Sequence, residues 1–222
     1  MTPRPAVTRI LWAWTALLAL IGVATAVHRM LLLVGSASVV HALQGPPAAA
    51  ALNDGFARHR RLTLMHIVPG MLFVVLGPLQ FVRSLRSRYP AVHRWIGRTV
   101  LACGVVIGST ALVMSPRMAI GGPIETAATT LFAILFLFAL GKAFAAIRRG
   151  KVALHREWMI RAFAVGLAVA FVRPIVGVFF ATSPLTHLTP RDFFGPAFWL
   201  GFSVQTIAAE FWVRYTRTQA VG

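Results

Sequence analysis

Four histidines are the side chains in this sequence best suited to hold a cofactor. His28 and His66 fall at similar depth, toward one end of their apolar segments. His93 and His155 each open another apolar segment, at the opposite depth. Neutral imidazoles ligate metals and the iron of haem, and two pairs at two depths match a bundle holding two stacked haems. The four are therefore candidate metal ligands with haem b as the candidate cofactor; structural or headgroup contacts are the alternative.

Charged residues inside apolar segments form a second candidate set, because such groups are costly in a membrane and mark functional sites. Arg173 lies about two-thirds along one segment, and Glu210 lies near the end of another. We expect Arg173 to come within reach of Glu125. The expected partner of Glu210 is Arg94, Arg98, Arg156 or Arg161. The predicted cofactor-binding residues are His66, His93, His155, Arg94, Arg98, Arg156, Arg161, Arg173 and Glu210.

His66 heads the best-organised stripe of the second apolar segment. The stripe recurs at steps of four and three residues through His66, Gly70, Phe73, Gly77 and Gln80, which places these residues on one helix face. Its glycines allow close approach of a helix or a flat ligand. A lipid-facing imidazole would leave its nitrogens unsatisfied. We therefore expect His66 to be buried against another helix, with His28, Glu125 or Arg173 as its partner.

Six apolar segments of membrane-spanning length position these residues. They cover approximately residues 10–34, 62–82, 99–115, 124–147, 158–182 and 197–213. The chain is 58% hydrophobic and 12% charged, too apolar to coat a soluble domain, and a spanning helix needs roughly 20 apolar residues. The sequence predicts an all-α bundle of six transmembrane helices that forms one domain over residues 1–222.

The net charge of +17 is distributed in alternate loops. Segments 83–98 and 148–161 each hold five basic residues, whereas segments 115–123 and 183–196 hold one each. This alternation follows the positive-inside rule, so we predict lipid headgroups, not nucleic acid, as the partner of the basic residues. The alternation does not account for three arginines that fall on the outer side, Arg58, Arg60 and Arg61. Arginine outnumbers lysine by 20 to 2, which suggests a bacterial genome. The predicted location is the bacterial inner membrane, with both termini cytoplasmic; protein partners are not identified.

The first apolar segment has a rival interpretation as a signal peptide. Arg4 and Arg9 precede the segment, and Ala24-Thr25-Ala26 resembles a cleavage site. Apolar sequence resumes at residues 30–34, however, and the charge alternation needs this segment as a helix. We favour a retained transmembrane helix.

Two similar motifs indicate an internal repeat. His93-Arg94-Trp95-Ile96-Gly97-Arg98 and His155-Arg156-Glu157-Trp158-Met159-Ile160-Arg161 each follow a basic loop and open an apolar segment. They are consistent with two copies of one hairpin around an axis along the membrane normal. The alternative is the common preference for basic and aromatic residues at the headgroup level.

Together with two further motifs, these sequences resemble the bacterial multi-spanning membrane protein family catalogued as domain of unknown function 2306. The further motifs are Leu76-Gly77-Pro78-Leu79-Gln80-Phe81 and Ala146-Ile147-Arg148-Arg149-Gly150. His66, Arg173 and Ala209-Glu210 also resemble marked positions of the family, and the similarity runs from about Leu64 to Trp212. The chain departs from the family at Val100, where Tyr is usual, and near Gln205, where Asn-Leu is usual. The resemblance implies a membrane fold and no particular activity.

Two classes of function stay open. The first is a redox or cofactor-handling protein that binds haem through histidine. The second is a non-redox transporter or assembly factor whose basic inner pocket binds an anionic lipid, a quinone or a small anion. No nucleophile motif, phosphate loop or zinc spacing is present, so no catalytic residue is predicted. The residues expected to converge at the inner interface are His93, Arg94, Arg98, His155, Arg156, Arg161 and Glu210.

Overall fold

A computed structural model describes residues 5–43 and 47–218, and every element within them is helical. Arg4 lies outside the described residues, and Ala24-Thr25-Ala26 lies within the first helix. The all-α class predicted from the sequence is confirmed. The helices are α1 (Pro5–Val34), α2 (Ala37–Leu43), α3 (Pro47–Arg58), α4 (Arg60–Leu76), α5 (Arg83–Arg88), α6 (Pro90–Met118), α7 (Gly122–Arg148), α8 (Val152–Thr186) and α9 (Pro190–Thr218), with a 3₁₀ turn at Pro78–Phe81.

Five of the described helices are long and apolar enough to cross a membrane: α1, α4 with its 3₁₀ turn, α6, α7 and α8. The sixth predicted span, α9, has 29 residues but does not reach the same apolarity. Gln205, Thr206 and Glu210 lower its hydropathy, because each places a polar group in the middle or second half of the helix. The fold is an all-α membrane bundle in which α9 is the most polar long helix.

The long helices extend beyond the apolar segments into the basic motifs. α6 begins at Pro90 and α8 at Val152, so residues predicted as loops are helical. Proline is well placed at the start of α6, since its missing N–H has no intrahelical partner there. His93 and His155 are each the fourth residue of their helix. The hairpins α4–α6 and α7–α8 therefore present these histidines in the same register, as the repeat predicted.

α8 lies at the centre of the bundle and packs against α7, α9 and α1. α6 packs between α4 and α7, and α1 completes the bundle against α4 and α8. The long segment between α1 and α4, described apart from residues 44–46, contains the two short helices α2 and α3. This order of neighbours places both α1 and α9 against the same central helix.

Phe73 is the side chain around which α4, α6, α7 and α8 meet. Its ring is fully buried and lies 5.5 Å from the ring centroid of Phe136, edge to face. A Cβ on Gly166 would lie only 2.5 Å from Cε1 of Phe73, so glycine in α8 makes room for the ring. Gly77, on the same stripe, fits against the Phe163 ring in the same way, whereas Gly70 faces open space.

We expect Phe73→Ala to lower the free energy of unfolding by about 3–5 kcal/mol, because it leaves a cavity in a packed core. Reversible unfolding in mixed micelles, followed by circular dichroism, measures this change. Phe211→Ala is the matched control, since that ring is exposed on the outside of α9. Equal effects of the two substitutions would contradict the central role of Phe73.

Candidate ligand-binding cavity

A cavity of about 360 Å³ lies inside the bundle, lined by residues of α1, α4, α6, α7, α8 and α9 and by Phe56 of α3. Most of its wall is apolar. We call it the Arg173 cavity; its charged and imidazole side chains are His28, Arg29, His66, Glu125 and Arg173. The packing of helices thus brings together three of the predicted site residues, His28, His66 and Arg173, with Glu125.

His66 faces another helix, as predicted; that helix is α6, and the contact is a hydrogen bond to a threonine hydroxyl. His66 Nδ1 lies 2.9 Å from Oγ1 of Thr110, and the Thr110 hydroxyl donates to the Val106 carbonyl at 2.7 Å. When the Thr110 proton lies on the Val106 carbonyl, His66 Nδ1 is the donor and Nε2 carries no proton. The hydrogen-bond partner is thus Thr110 and not His28, Glu125 or Arg173, because shared depth does not reveal that α4 packs against α6; Arg173 still lies near enough to interact electrostatically with His66.

Arg173 projects from α8 without an ion pair to any described carboxylate. Its Nε is buried and has no hydrogen-bond partner among the described residues. Glu125 lies near enough to interact electrostatically with Arg173, but its carboxylate accepts the backbone N–H of Gly121 at 2.6 Å. Arg173 and Glu125 therefore line the same cavity but do not form a direct salt bridge.

Arg29 supplies a second guanidinium that the sequence analysis did not include in the site. Its Nη1 donates a short hydrogen bond to Oδ1 of Asn53 in α3, and its Cζ lies 4.0 Å from the centroid of the Phe56 ring. Arg29 also interacts electrostatically with Arg173. Its position directly after His28 is equally typical of an arginine that anchors a helix end at the headgroups, so the sequence did not mark it as part of the site. The cavity thus holds two guanidinium groups and one carboxylate, which favours an anionic occupant.

The two histidines of the cavity do not offer equivalent nitrogens to a haem. His66 leaves Nε2 free, and its Nδ1–H bond to Thr110 is the kind of contact that orients a ligating imidazole. His28 Nε2 instead lies 3.2 Å from the Leu43 carbonyl. Within the described residues, no three His, Cys, Asp or Glu side chains form a metal-binding group. The cavity therefore fits one axial histidine, His66, better than a pair.

At the opposite end of the bundle, His93 and His155 lie close enough to interact electrostatically. His155 Nδ1 lies 2.9 Å from the Ala143 carbonyl of α7 and donates to it. His93 Nδ1 is buried and has no hydrogen-bond partner within the described chain. The predicted proximity of these two helix starts is thus present.

A network of carboxylates and arginines joins α8 to α9 at the same end. Arg161 Nη2 lies 2.8 Å from Glu210 Oε2, which confirms the predicted pairing of Glu210 with a basic residue at this interface. Arg161 also lies 3.8 Å from Glu157, and Glu157 accepts hydrogen bonds from Arg217. Those hydrogen bonds raise the pKa of the Arg217 guanidinium above its usual range.

The seven residues expected to converge at this end separate into different groups. Arg94 and Arg98 are exposed on α6, with Arg98 lying 5.2 Å from the Trp95 ring. Arg156 reaches Thr216 of α9, with Nη1 at 3.5 Å from Oγ1. The sequence places all seven residues at the same depth in the membrane. Because successive residues are rotated by 100° about the helix axis, some of the seven face away from the bundle.

Long apolar helices, with charged groups confined to an internal cavity and to the helix ends, define an integral membrane protein. The chain matches the family described as "Predicted membrane protein (DUF2306)" over residues 63–213, and it belongs to that family. The resemblance drawn from the four sequence motifs is confirmed, with nearly the same boundaries. No curated protein and no solved structure matches the chain.

We expect Arg161→Ala to lower the free energy of unfolding by about 1.5–3 kcal/mol, the typical contribution of a hydrogen bond to a charged group. Arg161 is 20% exposed and contacts two carboxylates, whereas Arg214 is 75% exposed and contacts one. Arg214→Ala is the control and should change stability by less than about 1 kcal/mol. Unfolding in mixed micelles compares the two variants, and the reverse order of stabilities would contradict this network.

Proposed function

We propose that this protein binds an amphipathic anion, an acidic headgroup with an apolar chain, in the Arg173 cavity. The single observation that carries the proposal is the guanidinium of Arg173, whose buried Nε has no hydrogen-bond partner in the described chain. A buried charge without a close counterion is costly. A carboxylate or phosphate at Arg173 would supply the missing acceptor, since guanidinium matches both in a bidentate arrangement.

The other polar groups of the cavity support a headgroup site. Arg29 lies at the same cavity and adds a second cation. In the tautomer in which His66 Nδ1 donates to Thr110, Nε2 is an acceptor for a hydroxyl of the headgroup. Glu125 offsets one of the two positive charges and leaves the site with a net attraction for a single anion.

The remaining wall suits the chain of such a ligand. Phe73, Val74 and Phe136 are among its many apolar residues, and Gly70 has open space beside its Cα. Burying an alkyl chain contributes about 0.8 kcal/mol per CH₂ group. An anionic headgroup with an apolar chain therefore uses both parts of the cavity, whereas a small inorganic anion would use only the polar part.

The proposal includes a topology. Six helices, α1, α4, α6, α7, α8 and α9, would cross the bacterial inner membrane with both termini on the cytoplasmic side. The uneven distribution of basic residues between alternate loops supports this orientation. In it, the Arg173 cavity belongs to the periplasmic half of the bundle, and the Arg161–Glu210 network to the cytoplasmic half.

We expect oleoyl-lysophosphatidate to stabilise the purified protein and mono-olein, which lacks the phosphate, to stabilise it much less. At 100 times the dissociation constant, a single site contributes about 2.7 kcal/mol, a rise of roughly 5–10 °C in Tm for a chain of this size. Arg173→Met should abolish the rise. Thermal unfolding in detergent, followed by intrinsic tryptophan fluorescence, is the measurement.

Arg98→Met is the matched control, because it removes an exposed arginine outside the cavity and should keep the full rise in Tm. An equal rise with mono-olein, or an undiminished rise in Arg173→Met, would contradict anion binding at this site. The absorption spectrum of the same preparations tests the redox alternative. A Soret band that is present in the wild type and lost in His66→Ala would show that the cavity binds a haem through His66 Nε2 and not an anion.

The topology predicts that a reporter fused after residue 90 lies in the cytoplasm. A reporter that works only in the cytoplasm should therefore be active there, and one that works only in the periplasm should be inactive. The physical reason is the cluster of arginines in segment 83–98, which resists transfer across the membrane. A fusion after residue 188, between α8 and α9, should show the opposite behaviour. Periplasmic activity at residue 90 would reverse the orientation and leave the number of spans unchanged.

A further inference from the structure

A second opening of about 700 Å³ lies at the other end of the bundle, between α1 and α9 on the surface of α8. Its lining includes Arg9, Arg86 and Arg156, and each is exposed. None of the three has a described carboxylate within 4 Å. We call this opening the Arg156 groove; it combines three cations with an apolar wall that includes Ile160 and Leu167.

The groove and the Arg173 cavity are built from the same three helices. On α8 the two linings overlap in depth, because Val165 and Gly166 line the cavity while Leu167 lines the groove. On α1 and α9 they follow one another along the helix. The change from groove to cavity falls between Thr15 and Gly22 on α1, and between Gln205 and Phe202 on α9. The two spaces therefore lie end to end along α1 and α9; we call this strip the seam.

Gln205 occupies the inner end of the groove, where α9 packs closely on α8. It is 5% exposed, and its Nε2 has no hydrogen-bond partner within the described residues. A buried amide donor without a partner destabilises the protein. No contact within the described protein accounts for this donor, and a headgroup oxygen would.

The depth of Gln205 places it between the two sets of arginines. A Cβ on Gly201 would lie 2.5 Å from Cγ2 of Val172, so Gly201 is level with the residue next to Arg173. Gln205 is four residues from Gly201 toward the groove, about 6 Å along the helix. Thr216, which contacts Arg156, lies about 16 Å further along α9.

We propose that the seam is a route along which an amphipathic anion passes between the two halves of the membrane, with Gln205 as an intermediate contact for the headgroup. This inference rests on the proposed function, because the Arg173 cavity is one end of the route. Movement is passive and follows the concentration difference of the lipid. The headgroup exchanges Arg156 for Gln205 and then for Arg173, while the chain stays against the apolar wall.

Leu18 is the barrier on this route. It is 1% exposed and stands on α1 between Thr15, which lines the groove, and Gly22, which lines the cavity. These two residues are separated by about 10 Å of helix, so the closed segment is about two turns thick.

The experiment measures transbilayer movement of radiolabelled oleoyl-lysophosphatidate in proteoliposomes that contain the full-length chain. Albumin extracts the outer-leaflet lipid at once, and the rate at which the inner pool becomes extractable is the rate of movement. We expect the protein to raise that rate at least tenfold over protein-free vesicles. Radiolabelled mono-olein is not an informative control here, because it crosses bilayers unaided, so Arg173→Met vesicles provide the inactive reference.

Gln205→Leu should lower the rate about tenfold, equivalent to about 1.4 kcal/mol in the barrier, and keep the ligand-induced rise in Tm. Gln80→Leu is its matched control, because Gln80 Nε2 is also buried without a partner but lines neither space; its rate should equal that of the wild type. Leu18→Ala should raise the rate, since it thins the barrier.

The outcomes separate the two proposals. A wild-type rate equal to that of protein-free vesicles, with the rise in Tm retained, overturns the route and leaves ligand binding at Arg173 intact. Absence of the rise in Tm overturns the proposed function itself. Equal rates for Gln205→Leu and Gln80→Leu overturn the role of Gln205, provided that both variants elute as the wild type does in size-exclusion chromatography.

Discussion

The cost of placing charge in an apolar bundle governs the arrangement of this protein. An ionised side chain at the centre of a helix in a membrane must find a counterion, water or a ligand. Arg161 and Glu210 meet that requirement within the protein, at a helix end where the network also includes Glu157 and two exposed arginines. Arg173 forms no salt bridge within the described chain and lines a cavity instead.

Small residues determine where helices touch and where they stand apart. Gly166 and Gly77 bring α8 within contact of the Phe73 stripe, because aromatic rings occupy the volume that a Cβ would need. Gly70 lies on the same stripe with nothing beside it. One face of α4 therefore serves two purposes. The part from Phe73 to Gly77 packs against α8 in the core, and the part from His66 to Gly70 borders the Arg173 cavity.

The sequence predicted how deep each residue lies in the bundle better than it predicted which way each residue faces around its helix axis. Apolar length and charge alternation fix how far a residue lies along its helix, and on that basis His66, Arg173 and Glu125 were expected at one level. They do line one cavity. Which residues touch depends on the order of helices around the bundle, and one sequence carries little information about that order. Thr110 was missed because α6 could not be identified as the neighbour of His66.

Rotation also explains the separation at the other end. Arg94 and Arg98 are four residues apart on α6 and share an outward face, whereas His93 is turned toward its neighbours. The Arg161–Glu210 pair was predictable, because an acid near a helix end finds basic residues at the same depth. Arg29 was not, since an arginine beside the end of a span commonly serves as an anchor for headgroups.

The contact between Arg29 and α3 couples the interior of the bundle to its surface. Arg29 donates to Asn53 and lies against Phe56, and both residues belong to a helix outside the main bundle. A headgroup that attracts Arg29 competes with Asn53 for the same guanidinium. Thermodynamic linkage makes this coupling reciprocal. If the headgroup weakens the attachment of α3 by some factor, an interaction that holds α3 in place weakens binding of the headgroup by the same factor. Binding of an anion in the Arg173 cavity would thereby change the hydrogen-exchange rate of α3, a short helix at the surface of the bundle.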